Sequence, residues 1–280
     1  MQVIAGAHAL VTGGSSGIGF AIAARLGEKG AKVTIWARGE DRLAAAAVAL
    51  RADGVDVRHD SVDVTDPVAV EAAHDRAVAH HGPVDILVSS AGASHPGRFL
   101  ELDDQIFRDM MEVDYFGTLH PIRVVAPGMA ERGRGSIVGI SSAAALLGIY
   151  GYTAYGAAKF AVRGLLEALR GELKPHGVDV TCVYPPDVDT PMLTAENAYK
   201  PAETAAISGT VAPISPDTVA RGVVRAIEKG NSAVYSGIRL RALVALGPVI
   251  NPFVERIFDR TVRTMHRQQS GRPGRGKLES

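Results

Sequence analysis

The chain moves between two hydrophobic rhythms. Short apolar runs at 9–11, 33–36, 55–59, 85–88, 136–140, 178–184 and 232–236 read as strands, several of them too continuous to leave one face in water. Between them, apolar residues recur every three or four positions, the spacing of a helix with one buried face. Ile18, Ile22 and Leu26 make the first such stripe, and Gly30 stands where its C-terminal cap is expected. Further helices are expected at 41–52, 68–80, from 155 onward and at 216–229. Val162, Leu165, Leu166 and Leu169 form the core face of the one that starts at 155. Residues 103–132 also read as helical but contain Pro121 and Pro127, so a kink or break is expected there. Residues 195–213 are mixed in character and read as a lid. Strands alternating with helices predict an α/β fold with a doubly wound, parallel, seven-stranded sheet. Ligands of such sheets bind beyond the carboxyl ends of the strands.

The residues just after each strand carry the chemistry. The first strand runs into Thr12-Gly13-Gly14-Ser15-Ser16-Gly17-Ile18-Gly19 and then a helix. Strand, Gly-rich turn and helix open a Rossmann-type nucleotide-binding unit, in which glycines let the backbone approach a pyrophosphate and the helix N-terminus offers N–H groups. The spacing is G-x-x-x-G-x-G rather than the commoner G-x-G-x-x-G. After the second strand, Ala37 and Arg38 stand where an enzyme specific for NAD places an acid, and Arg42 lies one turn on. A guanidinium there suits a 2′-phosphate, so NADP(H) is expected over NAD(H). Asp63 either accepts from an adenine amino group or belongs to the cap region 63–66 of the next helix, and the two roles are compatible. Ser89-Ser90-Ala91-Gly92 is small enough for backbone to lie against a cofactor. Pro185-Pro186-Asp187-Val188-Asp189-Thr190-Pro191 forms a rigid turn from which Thr190 can bond a ligand amide.

Tyr155 and Lys159 are four apart, hence on one helix face. An ammonium beside a phenol favours the phenolate, so the Tyr155 pKa is expected to fall. Such a tyrosine passes protons near neutral pH. Ser141 and Ser142 close the strand just upstream.

Composition narrows the classes. At 280 residues with 46% hydrophobic and 21% charged residues, the chain can bury a large core as one domain with an elaboration. A formal net charge of zero argues against nucleic-acid binding. One cysteine, Cys182 in an apolar run, allows no internal disulfide and fits a cytoplasmic setting. Met1-Gln2-Val3-Ile4-Ala5 lacks the features of a signal peptide, and no apolar run reaches the roughly 18 residues of a membrane span. No Cys/His cluster suggests a metal, and His80-His81 before Gly82-Pro83 reads as a helix end. No serine sits in a G-x-S-x-G elbow.

Taken together these motifs resemble a classical short-chain dehydrogenase/reductase over roughly residues 7–237. They are Thr12-Gly13-x-x-x-Gly17-x-Gly19, Ser142 thirteen residues before Tyr155, Tyr155-x-x-x-Lys159 and the Pro185…Thr190 turn. Within that family the chain is most similar to the 3-ketodihydrosphingosine reductases, through Ala37-Arg38-Gly39-Glu40-Asp41-Arg42-Leu43, the double proline Pro185-Pro186, and Lys200-Pro201-Ala202-Glu203-Thr204. The resemblance implies roles. Gly13, Ser15, Ser16, Gly17, Ile18 and Gly19 would hold the phosphates and adenosine ribose, Arg38 and Arg42 the 2′-phosphate, and Asp63 and Val64 the adenine. Ser90, Ala91, Gly92 and Pro185 would line the cofactor, with the Val188 backbone and Thr190 on its carboxamide. Tyr155 would protonate a carbonyl oxygen that Ser142 also bonds, and Lys159 would lower the Tyr155 pKa and bind the nicotinamide ribose. The reaction implied is NADPH-dependent reduction of a ketone to a secondary alcohol, on an apolar or long-chain, 3-ketosphinganine-type substrate. A steroid, sugar or other alcohol/ketone pair is the alternative, and an NADP(H)-binding sensor or scaffold without turnover is a second. The family also implies dimers or tetramers through helices near 104–123 and 155–173.

Two positions depart from the family. Asp114 replaces an asparagine that helps hold a water linking the lysine to solvent. As a relay it would join the catalytic set; paired with Lys159, it would weaken the pull of the ammonium on Tyr155. Ser89-Ser90 replaces Asn-Asn, losing those side-chain bonds. His95, Phe99, Leu146, Leu147, Ile149, Tyr152, Met192 and Leu193 are expected around the substrate. The chain divides into a catalytic domain at 1–237, an amphipathic helical extension at 238–267 and a tail at 268–280 expected to be disordered. In the extension, Phe253, Ile257, Thr261 and Met265, with Val254, Phe258 and Val262, form an apolar stripe, and Arg256, Arg260, Arg263 and Arg267 lie on other faces. Peripheral membrane contact through 239–267 and packing over the cleft or a sister subunit both remain open.

Overall fold

The strands are β1 (His8–Thr12), β2 (Lys32–Ala37), β3 (Val57–Ser61), β4 (Ile86–Ser89), β5 (Gly135–Ile140), β6 (Val178–Tyr184) and β7 (Ala233–Tyr235). All neighbours pair parallel, in the order β3-β2-β1-β4-β5-β6-β7. The structure is a computed structural model that describes residues 3–208 and 212–237 and positions 256, 260, 263 and 264. The extension and tail expected at 238–280 otherwise lie outside the described residues.

Alternation along the central strands sends side chains to two cores. Ala9, Val11, Ile86, Val88 and Val138 face one side. There they meet α1 (Gly17–Glu28), α2 (Glu40–Ala52) and α9 (Pro216–Lys229) through Ile22, Leu26, Leu43, Leu50, Val223 and Ile227. Leu10, Leu87 and Ile137 face the other side. They pack on α3 (Pro67–His81), α5 (Gly117–Glu131) and α6 (Thr153–Leu173) through Val70, Ile122, Met129, Val162 and Leu166. β1, β4 and β5 are buried along their whole length because helices cover both faces.

Gly30, at φ 83°, ends α1 as expected. Ala31 N–H donates to the Leu26 carbonyl and Gly30 N–H to that of Gly27, the paired bonds of a Schellman close. β3 is shifted two residues from its expected place, because Arg58, His59 and Asp60 continue the ladder beside β2. An edge strand tolerates such polar residues. The two prolines lie inside one continuous α5. The irregularity sits upstream, where α4 (Asp104–Met110) passes into a π-helical turn at Met111–Phe116. Gly117 N–H there reaches back to the Glu112 carbonyl, one residue further than in an α-helix. The expected lid is two short helices, α7 (Pro191–Glu196) and α8 (Ala202–Ser208). They are tied to the body: Arg98 donates to both oxygens of the buried Glu203 at 3.2 Å, and the Thr204 hydroxyl to the Tyr150 carbonyl at 2.9 Å.

His8 joins β1 to the turn before β4. Nδ1 donates to the Gly82 carbonyl at 2.7 Å, so Nε2 accepts from the Thr34 hydroxyl at 2.9 Å. Burial pulls its pKa from 6.5 to about 4. A depressed histidine pKa means the unfolded chain takes up the proton first. The contribution of His8 is therefore full above about 6.5 and is lost as the pH falls from there through about 4. Urea titrations between pH 7 and 4 should show about 3 kcal/mol of stability loss traceable to this residue. His8→Gln should flatten the profile by that amount; parallel profiles in the two proteins would refute the assignment.

Candidate active site

Register places the ends of β1, β4, β5 and β6 side by side, and the cleft opens there. Gly13, at φ 68°, has no room for a side chain, since a Cβ would meet Ala91 N and Ser90 O at 2.8 Å. The two loops are stitched by Thr12, whose hydroxyl oxygen accepts from Ser90 N–H at 3.1 Å and Ala91 N–H at 3.0 Å. Ser16, the residue before α1, makes no side-chain cap. The first-turn N–H groups of α1 stay available beside Gly17, Ile18 and Gly19, which line the cleft.

This cleft of ≈ 330 Å³ is of ligand-binding size. Gly13, Ser15, Ser16, Gly17, Ile18, Gly19, Arg38, Arg42, Asp63, Val64, Ser90, Ala91 and Gly92 line its nucleotide-like end. Ser142, Tyr155 and Lys159 line its far wall, with Pro185, Val188 and Thr190 along the side. Arg38 and Arg42 are exposed, and among the described residues neither is held by a carboxylate. Asp63 accepts from the Thr65 N–H at 3.0 Å and hydroxyl at 2.8 Å. Burial pushes its carboxyl up, but the Thr65 bonds and the field of Arg38 outweigh that and hold it below the usual range. Asp66, not Asp63, caps α3, accepting from Val68 and Ala69.

The two serines after β5 divide the work. The Ser141 hydroxyl donates to the Lys159 carbonyl at 2.9 Å, fixing α6 to the strand end, while Ser142 faces the cleft. Lys159 Nζ donates to the Ile140 carbonyl at 3.2 Å and lies 5.7 Å from the Tyr155 ring centroid. Asp114, carried by the π-turn and fully buried, lies behind it, outside the cleft lining. Its Oδ1 accepts from Lys159 Nζ at 3.1 Å and from Ala93 N–H at 3.1 Å. Its Oδ2 is buried without a hydrogen-bond partner among the described residues.

This pairing corrects one expectation. Burial pushes the Tyr155 phenol up; Lys159 and a Ser142 hydrogen bond pull it down, Asp114 pushes it up again, and the net shift is upward. Burial also pushes the Asp114 carboxyl above its usual range, against the pull of Lys159. The Lys159 pKa is lowered by burial but raised more by Asp114 and Tyr155, so the ammonium persists. Its charge is divided between the phenol and the carboxylate.

Of the residues expected around the substrate, Ile149, Tyr152, Met192 and Leu193 line the cleft. The other four do not. His95 stacks on Tyr199 at 4.8 Å, Phe99 is exposed against Phe107, Leu146 packs into the core and Leu147 is buried. No periodic pattern marks the polar residues there. Asp187 and Glu196 line the same end, and Lys200 pairs with both.

A short chain dehydrogenase profile matches residues 7–201, most of the chain. The chain belongs to the short-chain dehydrogenase family. It is 46% identical to a Mus musculus 3-ketodihydrosphingosine reductase over 231 residues, 81% of this chain and 70% of that one. Its fold matches a Burkholderia phymatum short-chain dehydrogenase/reductase in complex with NAD, with a TM-score of 0.80, 27% identity and coverage of 88% and 94% of the two chains. Actinorhodin polyketide ketoreductase with NADPH matches at a TM-score of 0.75 and 33% identity, over 81% and 94%. The short-chain dehydrogenase is therefore an oxidoreductase of the ketone/alcohol pair that uses a nicotinamide cofactor. The uncapped N–H groups of α1 and the side-chain-free turn at Gly13 fit a dinucleotide pyrophosphate. Among the described residues no helix is long and apolar enough to cross a membrane.

Asp114→Asn removes the charge that competes for Lys159. The Tyr155 pKa should fall, so the alkaline limb of kcat/KM for ketone reduction should move about one to two units toward lower pH. A pH–rate profile of the two proteins checks this; an unmoved limb would show that the Asp114 charge does not reach the phenol.

Proposed function

We propose that this enzyme reduces a long-chain 3-keto lipid, of the 3-ketosphinganine type, with NADPH. The observation that carries the reading is the convergence of Ser142, Tyr155 and Lys159 on one wall of a cleft whose other end presents Arg38 and Arg42. Two guanidinium groups that form no ion pair among the described residues favour a 2′-phosphate over a bare ribose hydroxyl. The name of the mouse relative supports the lipid ketone, and Ile149, Met192 and Leu193 give apolar lining to the substrate end.

The roles are those the family resemblance implies, and the shared cleft supports them. Gly13, Ser15, Ser16, Gly17, Ile18 and Gly19 hold the phosphates, Asp63 and Val64 face the adenine, and Ser90, Ala91, Gly92 and Pro185 back the cofactor. Val188 and Thr190 hold its carboxamide. A bound NADPH supplies the hydride that adds to the carbonyl carbon. Ser142 donates a hydrogen bond to the carbonyl oxygen, and Tyr155 gives that oxygen its proton, so the product is a secondary alcohol. A phenol with a raised pKa keeps its proton at neutral pH, which suits a donor in the reducing direction. Lys159 holds the ribose and steadies the tyrosinate left behind, and Asp114 sets how strongly it does so.

A second reading, a cofactor-binding sensor without turnover, draws on the Asp114–Lys159 pair alone. For assembly, the exposed Phe160 on α6 supports pairing of two copies through α5 and α6. A cytoplasmic enzyme fits this reading, with 239–267 either touching a membrane surface or packing over the cleft or a sister subunit. Arg256, Arg260, Arg263 and Thr264 are helical and exposed.

Tyr155→Phe should lower kcat about 10²–10⁴-fold with NADPH affinity nearly intact; steady-state loss of NADPH absorbance over a panel of ketones reads this. No turnover of any ketone by the wild type, despite tight NADPH binding, would select the sensor. Arg38→Ala should cut the preference for NADPH over NADH about tenfold to a hundredfold by fluorescence titration. An unchanged preference would remove Arg38 from the phosphate site.

A further inference from the structure

The substrate end of the cleft is not purely apolar. Glu196, at the end of α7, is 7% exposed and still lines it. Its Oε1 takes both of its contacts, accepting from the Tyr152 hydroxyl and from Lys200 Nζ, the latter at 2.9 Å. Among the described residues Oε2 has no hydrogen-bond partner. Asp187 lines the same wall, with Lys200 3.8 Å away. Lys200 is the one cation in ion-pair range of either carboxylate among the described residues, and its side chain is 6% exposed. Two acids against one ammonium leave this wall one positive charge short.

A nearly buried carboxylate with an open oxygen is costly beside an alkyl chain alone. It is favourable where the ligand carries the missing charge. The position says where on the ligand that charge lies. The Tyr152 ring, whose hydroxyl holds Glu196, sits 5.5 Å from the Tyr155 ring, centroid to centroid. Glu196 is thus one aromatic ring from the proton donor, and its charge is felt at the Tyr155 phenol. A group reaching Oε2 is therefore carried on the part of the ligand near Tyr155 rather than on a distant tail.

We infer that Glu196 is a specificity-determining residue whose Oε2 receives a protonated amine carried beside the ketone, with Asp187 completing the charge balance. The inference rests on the 3-ketosphinganine-type reading above, whose ketone already carries a neighbouring amine, and deepens it by naming the side chain that reads that amine. Tyr152 and Lys200 are positioning residues that hold Glu196 Oε1 and leave Oε2 toward the cleft.

The test compares kcat/KM with NADPH for a long-chain α-amino ketone, its N-acetylated counterpart and the same ketone lacking nitrogen. Wild type should prefer the amino ketone about tenfold to a hundredfold, the range of one charge-assisted hydrogen bond. The preference should shrink as pH rises past the pKa of such an amine, about 8. Glu196→Gln should lose most of the preference together with its pH dependence, and Glu196→Asp should regain part of both. A merely structural role for Glu196 would lower all three substrates together and leave the pH dependence of the ratio in place. NADPH binding reports whether each variant is folded; if Glu196→Gln is not, the wild-type ratio against pH decides alone. A wild type that turns over ketones without preferring the amine, or a preference flat in pH, overturns this inference and spares the reductase reading. No ketone turnover at all sinks the reductase reading instead.

Discussion

The site depends on keeping one ammonium ionised where water does not reach. Lys159 is 5% exposed, and a charge so placed survives only if its surroundings answer it. Three elements do so: the Ile140 carbonyl at the end of β5, Asp114 on the π-turn, and the phenol one turn back on α6. Each of these bonds also joins parts of the framework. The end of β5, the wide turn and the long helix meet at Lys159, so the group that tunes Tyr155 also sets the spacing of the elements around it. The Ser141 bond to the Lys159 carbonyl adds a second tie at the same point.

Around that point the parallel sheet does the positioning. Every strand from β1 to β6 ends toward the same side, and the reversal of strand order between β1 and β4 separates the crossovers there. Thr12 closes the gap between the two neighbouring loops with a single oxygen. The Gly-rich part of the nucleotide end therefore rests on backbone, with Arg38, Arg42 and Asp63 adding side chains beside it. The substrate end rests on side chains from the start of α6 and from the segment that follows β6.

This contrast explains what could be read from the sequence. Backbone-built features leave strong marks, because glycine spacing, strand ends and the Tyr155–Lys159 interval are dictated by geometry that few residues satisfy. Every residue expected to contact cofactor lies in one cleft for that reason. Features made by long-range pairing left little trace. Glu196, Lys200 and Asp187 sit in a stretch without periodicity, and only the fold shows that Tyr152 reaches Glu196 from 44 residues away. The π-turn was hidden likewise, since prolines advertise irregularity and a changed hydrogen-bond register does not. The direction of the Tyr155 shift turns on a balance of burial against two opposite charges, and the four-residue spacing to Lys159 supplies just one of the three.

The tie of α8 to the body has a further effect. Glu203 and Thr204 are fastened to Arg98 and to the Tyr150 carbonyl, so the stretch bearing Glu196 and Lys200 is anchored on its C-terminal side by bonds that none of the reacting groups share. Selectivity and chemistry thus occupy separable modules. Exchanging residues 192–200 ahead of that anchor would redirect the choice of molecule while leaving Ser142, Tyr155, Lys159, Val188 and Thr190 in place, a route by which one scaffold diversifies without rebuilding its engine.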